Sequence, residues 1–442
     1  ALSQSAKCLP FAKLIVQNNV QVVNGMGEML QREDLTKRTD PDLETRTQEV
    51  VKISLLEDLD IRSDEVQEIV RLNPKIAKAL IKLGIDHKNK ELELGLNVEK
   101  KIYKGATTFP GEIVSDFIQK FENYFPKLEE FSTRVYEKVK MNNRTRYLSL
   151  CNYLEKNHKI IVRDILPKKD KPFTKIFFPE KKEFHLSDLL NLETKKLFAA
   201  ALVAQLEADD IIEEYLADFS FPSESSKKVT KVALLNYAGA AIIMPYEIFF
   251  HECVKKHRYD LELLQSTFAV SFEQVCHRVT SLNNPDPKLR GIPLHMIRVD
   301  RSGNVSKRFS LSGIELPRLS GACPKWNVYS SFSNPGKISA AVSRMTDGEK
   351  YVCIARTVEK GISKYGEEKG LLSIGLGCQI KYAKDFVYAD GLNLNDEKSE
   401  SKIGVSCRKC DRLDCSQRAF PPDTQNYDVD INQRGVSIFV NV

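Results

Sequence analysis

The stretch Gly404-Val-Ser-Cys407-Arg-Lys-Cys410-Asp-Arg-Leu-Asp-Cys415-Ser-Gln-Arg-Ala-Phe420-Pro-Pro422 puts three cysteines, spaced C-x2-C-x4-C, on a charged, loop-like segment. Cysteines that serve as small core hydrophobes sit singly at helical or strand spacing, so packing does not account for this density. A C-x2-C pair sets two thiolates on one tight turn, and a third thiolate soon after supplies most of a coordination shell. The spacing points to an iron–sulfur cluster or to zinc, with a disulfide or free thiols as the remaining readings. Three ligands are one short. Cys378, in Gly375-Leu-Gly377-Cys378, is the nearest upstream choice, because glycines let backbone approach closely. It reads equally as a buried strand cysteine. Cys323, in Gly321-Ala-Cys323-Pro-Lys-Trp326, is the reserve. The expected ligand set is therefore Cys407, Cys410, Cys415 and Cys378, around a 4Fe-4S cluster or, alternatively, zinc.

The rest of the composition bounds the class. A chain of 442 residues has length for two or three domains, and 42% hydrophobic with 29% charged residues is an ordinary globular balance. The formal charge of +6 permits nucleic-acid binding without arguing for it. No apolar run nears the roughly 18 residues of a membrane span, and no signal peptide is visible. Most of the ten cysteines stand alone, which fits a reducing cytoplasm better than a secreted disulfide framework. The chain starts at Ala1 rather than Met, as a fragment would.

Working back along the chain, residues 53–98 carry helical periodicity in two segments, the second restarting at Pro74 and ending at Gly84. Pro110 opens an amphipathic helix through Ile113, Phe117, Phe121 and Tyr124-Phe125. Lys159–Val162 and Lys175–Phe178 read as short strands, and Leu186 to Leu216 reads as helix. Ser220 to Lys228 is expected as a polar loop, Val232 to Ile243 as a buried helix, and Tyr246–Tyr259 and Leu261–Arg278 as further helices. After Arg278 the pattern turns to period two, with Gly, Asn and Asp between short runs, and Val436–Val440 reads as a last strand. The fold class is α+β, with a β-rich C-terminal part that ends in the cysteine loop.

Several phrases in this half carry a resemblance: Asn236-Tyr-Ala-Gly-Ala-Ala-Ile-Ile-Met244-Pro-Tyr246, Tyr259-Asp-Leu-Glu-Leu-Leu264, Ser271-Phe-Glu-Gln-Val-Cys-His277-Arg, Arg298-Val-Asp-Arg-Ser-Gly-Asn304-Val-Ser-Lys307-Arg, Cys323-Pro-Lys-Trp326-Asn and the cysteine tail. Together they resemble the short-chain fatty acyl transcriptional regulators, which include propionate-catabolism regulators, over about residues 53–422. The resemblance implies an unassigned segment at 1–52, a helical connector at 53–106, an ImmA/IrrE-like α+β domain at 107–280, and an acyl-CoA-sensing domain with the cysteine cluster at 281–442. It implies a cytoplasmic transcriptional regulator, in some members with an iron–sulfur cluster, that binds DNA through an Xre-type helix-turn-helix and works as a homodimer without a membrane. Residues 1–50 do not show that helix-turn-helix, so DNA is expected as a partner if the full-length chain carries one. The alternative is a zinc-stabilised interaction module that senses nothing.

ImmA/IrrE proteins are zinc peptidases with H-E-x-x-H on a helix. Here the ligand positions hold Leu202 and Leu206 and the Glu position holds Val203, so no peptidase activity and no catalytic residue is expected. An acyl-CoA pocket instead needs cations for phosphates, aromatic or hydroxyl contacts and a narrow apolar slot. The cations Arg298, Arg301, Lys307 and Arg308 surround the turn Asp300–Asn304, a type I′-like signal. Tyr237, Tyr246 and Trp326 complete the expected ligand contacts. Ala238, Gly239 and Ala240 leave room for an acyl chain or allow close helix packing.

Overall fold

The structure is a computed structural model that describes residues 63–83, 110–141, 145–168, 171–318, 321–361 and 369–422, with a few scattered positions beside them. The chain divides into two compact units, residues 1–107 and 108–442. In the first, helix α1 (Ser63–Leu72) and helix α2 (74–83) share an apolar cluster of Val66, Val70, Ala77 and Ile81 with Leu43. The readings for residues 1–42, including the question of a helix-turn-helix, lie outside the described residues.

The second unit begins with α3 (Pro110–Lys120), α4 (Pro126–Val139) and α5 (Arg146–His158). The aromatic run expected as one helix breaks at Glu122 and Asn123, both at positive φ, and Pro126 starts α4 afresh. Phe117, Phe125 and Phe219 still meet, ring to ring, in the core that the break creates. A three-stranded sheet follows, in the order β1–β3–β2: β1 (Ile161–Ile165), β2 (Lys175–Phe178) and β3 (Glu183–Ser187). The middle strand replaces the helix start expected at Leu186. Phe184 and Leu186 alternate inward from it, and the helix begins only after Asn191 caps Thr194 N.

That helix, α6 (Leu192–Glu207), packs along α8 (Glu224–Ile243), with α7 (Asp209–Ala217) between them in sequence. The loop expected up to Lys228 ends earlier, because Ser223 caps Ser226 N and starts α8. The contact between α6 and α8 is backbone-close. A Cβ on Gly239 would stand 2.9 Å from Ala201 N and 3.1 Å from its Cα, so the small residues serve helix packing. Gly239→Ala is therefore expected to lower stability by about 1–3 kcal/mol through forced backbone shift, outweighing alanine's helix preference of roughly 1 kcal/mol. A urea midpoint at or above that of the wild type would contradict this. Helix α9 (Tyr246–Phe250) runs into a π turn at His251–Lys256, and the helix expected over Leu261–Arg278 is two. These are α10 (Leu261–Phe268) and α11 (Phe272–Val279), parted by Ala269 at φ +49° and a Ser271–Gln274 capping box. Among the described residues no single helix is long and apolar enough to cross a membrane.

A six-stranded sheet in the order β5–β4–β8–β7–β6–β9 completes the unit. Its strands are β4 (Leu294–Asp300), β5 (Val305–Ser310), β6 (Ser339–Arg344), β7 (Lys350–Lys360), β8 (Gly370–Gln379) and β9 (Ser401–Lys402). Period-two alternation sorts its side chains. Leu294, Met296, Val352, Ile374, Leu376 and Cys378 join the core of the helices, so residues 107–280 and 281–442 share one core. Ile297, Val299, Tyr351, Cys353 and Ala355 face the other way, onto Trp326 and Val328 beside the short helix α12 (Asn327–Ser330). Of the strand expected at Val436–Val440, the described residues form bends and a turn.

His295 sits in this second layer, 1% exposed, with Nδ1 2.8 Å from Ser312 Oγ and Nε2 3.6 Å from Cys353 Sγ. Burial pushes its pKa down to about 3, against about 6.5 in an unfolded chain. The unfolded chain thus takes up a proton first as pH falls. The stability His295 contributes is full above pH 6.5 and is lost toward pH 3, with a slope approaching ~1.4 kcal/mol per pH unit. His295→Gln is expected to flatten the fall in urea midpoint between pH 7 and 4.5; parallel pH profiles would contradict it.

Candidate functional site

The first turns of α6 and α11 open onto the ends of β4, β7 and β8. Together they form a cleft of about 230 Å³ lined by Asn191, Thr194, Ser271, Phe272, Glu273, Arg298, Val358, Glu359, Lys360, Gly361 and Leu372. Phe272, Val358 and Leu372 give it an apolar wall. Both helices point their N-termini, with partial positive charge, toward this wall. Glu273 and Arg298 cross the cleft as an ion pair at 2.5 Å, and Lys307 reaches the same carboxylate at 2.9 Å. Burial raises the Glu273 pKa, but the His277 hydrogen bond and the charges of Lys307, His277 and Arg298 outweigh it and hold the carboxyl far below its usual range. The site is thus a preorganised polar network beside a short apolar slot. That volume has room for a small group and not for a whole coenzyme.

The residues expected to bind ligand do not gather here. Arg298 lines the cleft. Its cross-strand neighbour Lys307 lies 2.8 Å from His277 Nε2, as part of the Glu273 network. Arg308 points to the opposite face and pairs with Glu112 and Asp116 of α3, each at 2.8 Å. Arg301 is exposed at the hairpin tip. That tip is not the type I′ turn expected: neither Arg301 nor Ser302 takes positive φ, and Gly303 alone does, at +84°. Asp300 organises it by accepting the N–H groups of Ser302 and Asn304, each at 2.9 Å. Tyr237 is a core residue whose hydroxyl donates to Glu129 at 2.5 Å. Tyr246 donates to the Leu289 carbonyl at 3.0 Å and accepts from Asn284 N at 3.0 Å. Trp326 is 2% exposed on the far face of the sheet. The helix-cap residues of the cleft went unmarked in sequence. The signal was present in the Ser271–Gln274 capping box, but nothing local shows that two capped helix starts meet.

The cysteine site departs from expectation in one residue. Cys407, Cys410 and Cys415 line a small cavity with Cys323, Pro324, Ser406 and Arg418, so the reserve residue is the fourth thiol. An Ala322–Ser406 bridge brings the two segments together. The N–H groups of Gly404 and Lys325 bond the Cys323 sulfur, whose pKa burial nevertheless raises. A Cβ on Gly404 would lie 3.0 Å from Cys410 Sγ, so this glycine is the seat on which the sulfur rests. Cys378 is excluded by its place in the sheet. It is fully buried, pairs with Leu294 and Val352, and belongs to the core against the helices. Its flanking glycines answer to packing: a Cβ on Gly375 would meet Val328 Cγ1 at 2.4 Å, and one on Gly377 would meet Val352 O at 2.5 Å. The donor set of four thiols without carboxylate or imidazole suits zinc or an iron–sulfur cluster. Among the described residues no group of three or more His, Cys, Asp or Glu side chains is arranged to hold one metal ion. Leu202 and Val203, expected from the resemblance to stand at the peptidase motif's positions, are 3% and 0% exposed within the helix core.

Comparison with known proteins places this architecture. Residues 284–439 match the family model described as short-chain fatty acyl coenzyme A regulator, C-terminal, and residues 161–280 match the IrrE N-terminal-like domain. The chain is 33% identical to the HTH-type transcriptional regulator RamB of Mycobacterium tuberculosis, over 89% of this chain and 84% of that protein. It is 32% identical to PrpR of the same organism, over 72% and 64% of the two chains, and 38% identical to the propionyl-CoA carboxylase regulator of Cereibacter sphaeroides, over 53% and 50%. A solved Mycobacterium tuberculosis transcriptional regulator superposes with a TM-score of 0.71 at 30% identity, covering 75% of this chain and all of that one.

Proposed function

The chain belongs to the family of short-chain fatty acyl coenzyme A regulators, and on that premise we propose that it controls transcription of propionate or related acyl metabolism by sensing an acyl-CoA. The observation that carries this reading is the cleft where two capped helix starts face the sheet. It offers an apolar wall for a short acyl chain and a fixed set of charges beside it. The helices and the sheet share one hydrophobic core, which couples the two layers. Ligand acts locally, by favouring one arrangement of α11 against the ends of β7 and β8, and shifts the population toward it. A DNA-binding element, working in a homodimer on a two-fold operator, reads that shift. The IrrE-like domain is a scaffold without peptidase chemistry, since its zinc and base positions are Leu202, Leu206 and Val203.

Cys323, Cys407, Cys410 and Cys415 would hold a 4Fe-4S cluster, which supplies one-electron chemistry and braces the C-terminal loop. The cluster is preferred to zinc on the C-x2-C-x4-C spacing of the loop cysteines.

The test is a thermal-shift panel of CoA and acyl-CoAs of increasing chain length on anaerobically purified protein. A ligand at about a hundred times its dissociation constant stabilises by roughly 2.7 kcal/mol, enough to move the melting point by degrees. A rise selective for short acyl chains is expected. A flat panel would leave a metal-braced interaction module that senses nothing.

A further inference from the structure

Arg418 lines the cysteine cavity and is 7% exposed. Its two terminal nitrogens fork to four backbone carbonyls: Cys407 at 2.9 Å and Phe420 at 3.1 Å from Nη1, Cys410 at 2.7 Å and Arg412 at 2.6 Å from Nη2. Its Nε is buried without an acceptor, and no carboxylate among the described residues pairs with it. A guanidinium taken out of water without a counter-ion is strongly disfavoured, because carbonyl dipoles replace only part of its hydration. The two acids of the loop do not serve: Asp411 and Asp414 are exposed, and Asp414 lies 3.6 Å from Lys402. Of the residues that line the cavity, Arg418 is the one that carries a fixed charge, and Lys402 and Lys409 are taken up by Asp414 and Glu315.

We infer that Arg418 is the buried counter-charge of an anionic tetrathiolate centre, at once tying the cysteine loop together through its carbonyls and setting the centre's reduction potential. The inference rests on the reading that these cysteines hold an iron–sulfur cluster. Four thiolates around a [4Fe-4S]2+ core carry a net double negative charge, and reduction adds one electron more. A fixed positive charge at the cavity wall stabilises the reduced form above the oxidised one and so raises the potential. Arg418 touches no substrate, and its role is positioning and electrostatic.

Wild type, Arg418→Lys and Arg418→Gln are reconstituted anaerobically and compared by iron and sulfide content, visible spectrum and equilibrium redox titration. The expected result is a cluster in all three, a midpoint for Arg418→Gln below that of the wild type, and a midpoint for Arg418→Lys close to the wild type. Equal midpoints for wild type and Arg418→Gln at equal iron content would overturn the assignment. If Arg418→Gln fails to fold or to hold iron, the neutral Arg418→Met takes its place: a midpoint below that of the wild type supports the charge, and an unchanged midpoint overturns it. A folded wild type that takes up no iron and sulfide overturns the cluster reading itself, which separates that failure from one of Arg418 alone.

Discussion

Arg278→Ala is expected to destabilise the 108–442 unit by about 3–5 kcal/mol, the cost of leaving a buried charge without its partner. Arg278 is 2% and Glu129 5% exposed, and two nitrogens of the one meet two oxygens of the other at 2.5 and 2.8 Å. The guanidinium also reaches the Met244 carbonyl and Ser281 Oγ, while Tyr237 donates to Glu129. This one network therefore joins α4, α8 and α11 behind the cleft. Glu129→Ala should cost as much, because it leaves Arg278 buried and unpaired. The double change Glu129→Leu with Arg278→Leu should cost clearly less than the sum of the two singles, since it removes both charges together. Urea titrations followed by circular dichroism give these values. Single variants within 1 kcal/mol of the wild type would show that water reaches the pair and that the core is not closed as described.

The second large effect is at the cysteine site. On the proposed iron–sulfur reading, Cys323→Ser is expected to abolish most of the iron taken up, whereas Cys378→Ser should retain it and lose only packing stability. The contrast follows from place alone. Cys323 shares a cavity with Cys407, Cys410 and Cys415, and Cys378 stands in mid-sheet among Leu294, Val352 and the helix core. Iron and acid-labile sulfide per chain after anaerobic reconstitution decide it. Full iron in Cys323→Ser, or its loss in Cys378→Ser alone, would reverse the ligand assignment.

Those two sites mark the boundary between what the chain states locally and what only folding assembles. The C-x2-C-x4-C motif, the period-two runs and the helix start at Pro110 are local signals, and each is realised as a loop, a strand or a helix. Strand β3 was hidden because Phe184 and Leu186 alternate over five residues only, next to a long helical pattern that absorbed them. The choice of fourth cysteine turned on glycines. Both candidate cysteines have them, but at Cys378 they relieve clashes with Val328 and Val352, contacts that no reading of adjacent residues contains. The cations of the Arg298–Arg308 hairpin misled for a related reason. Strand alternation sends Lys307 and Arg308 to opposite faces, where different acidic partners, Glu273 on α11 and Glu112 on α3, take them up. Tyr237 looked like a hydroxyl for ligand because its partner Glu129 is 108 residues away.

On the proposed function, the cleft at the starts of α6 and α11 receives an acyl-CoA. Thr194 lines it and is half-buried, so Thr194→Trp fills the slot from its rim. Isothermal titration of propionyl-CoA into anaerobically purified wild type and Thr194→Trp tests this directly. Saturable binding to the wild type is expected, with at least about tenfold weaker binding to the variant, roughly 1.4 kcal/mol, at an unchanged melting temperature. Equal affinity in the two proteins, or no heat of binding in a folded wild type, would contradict it.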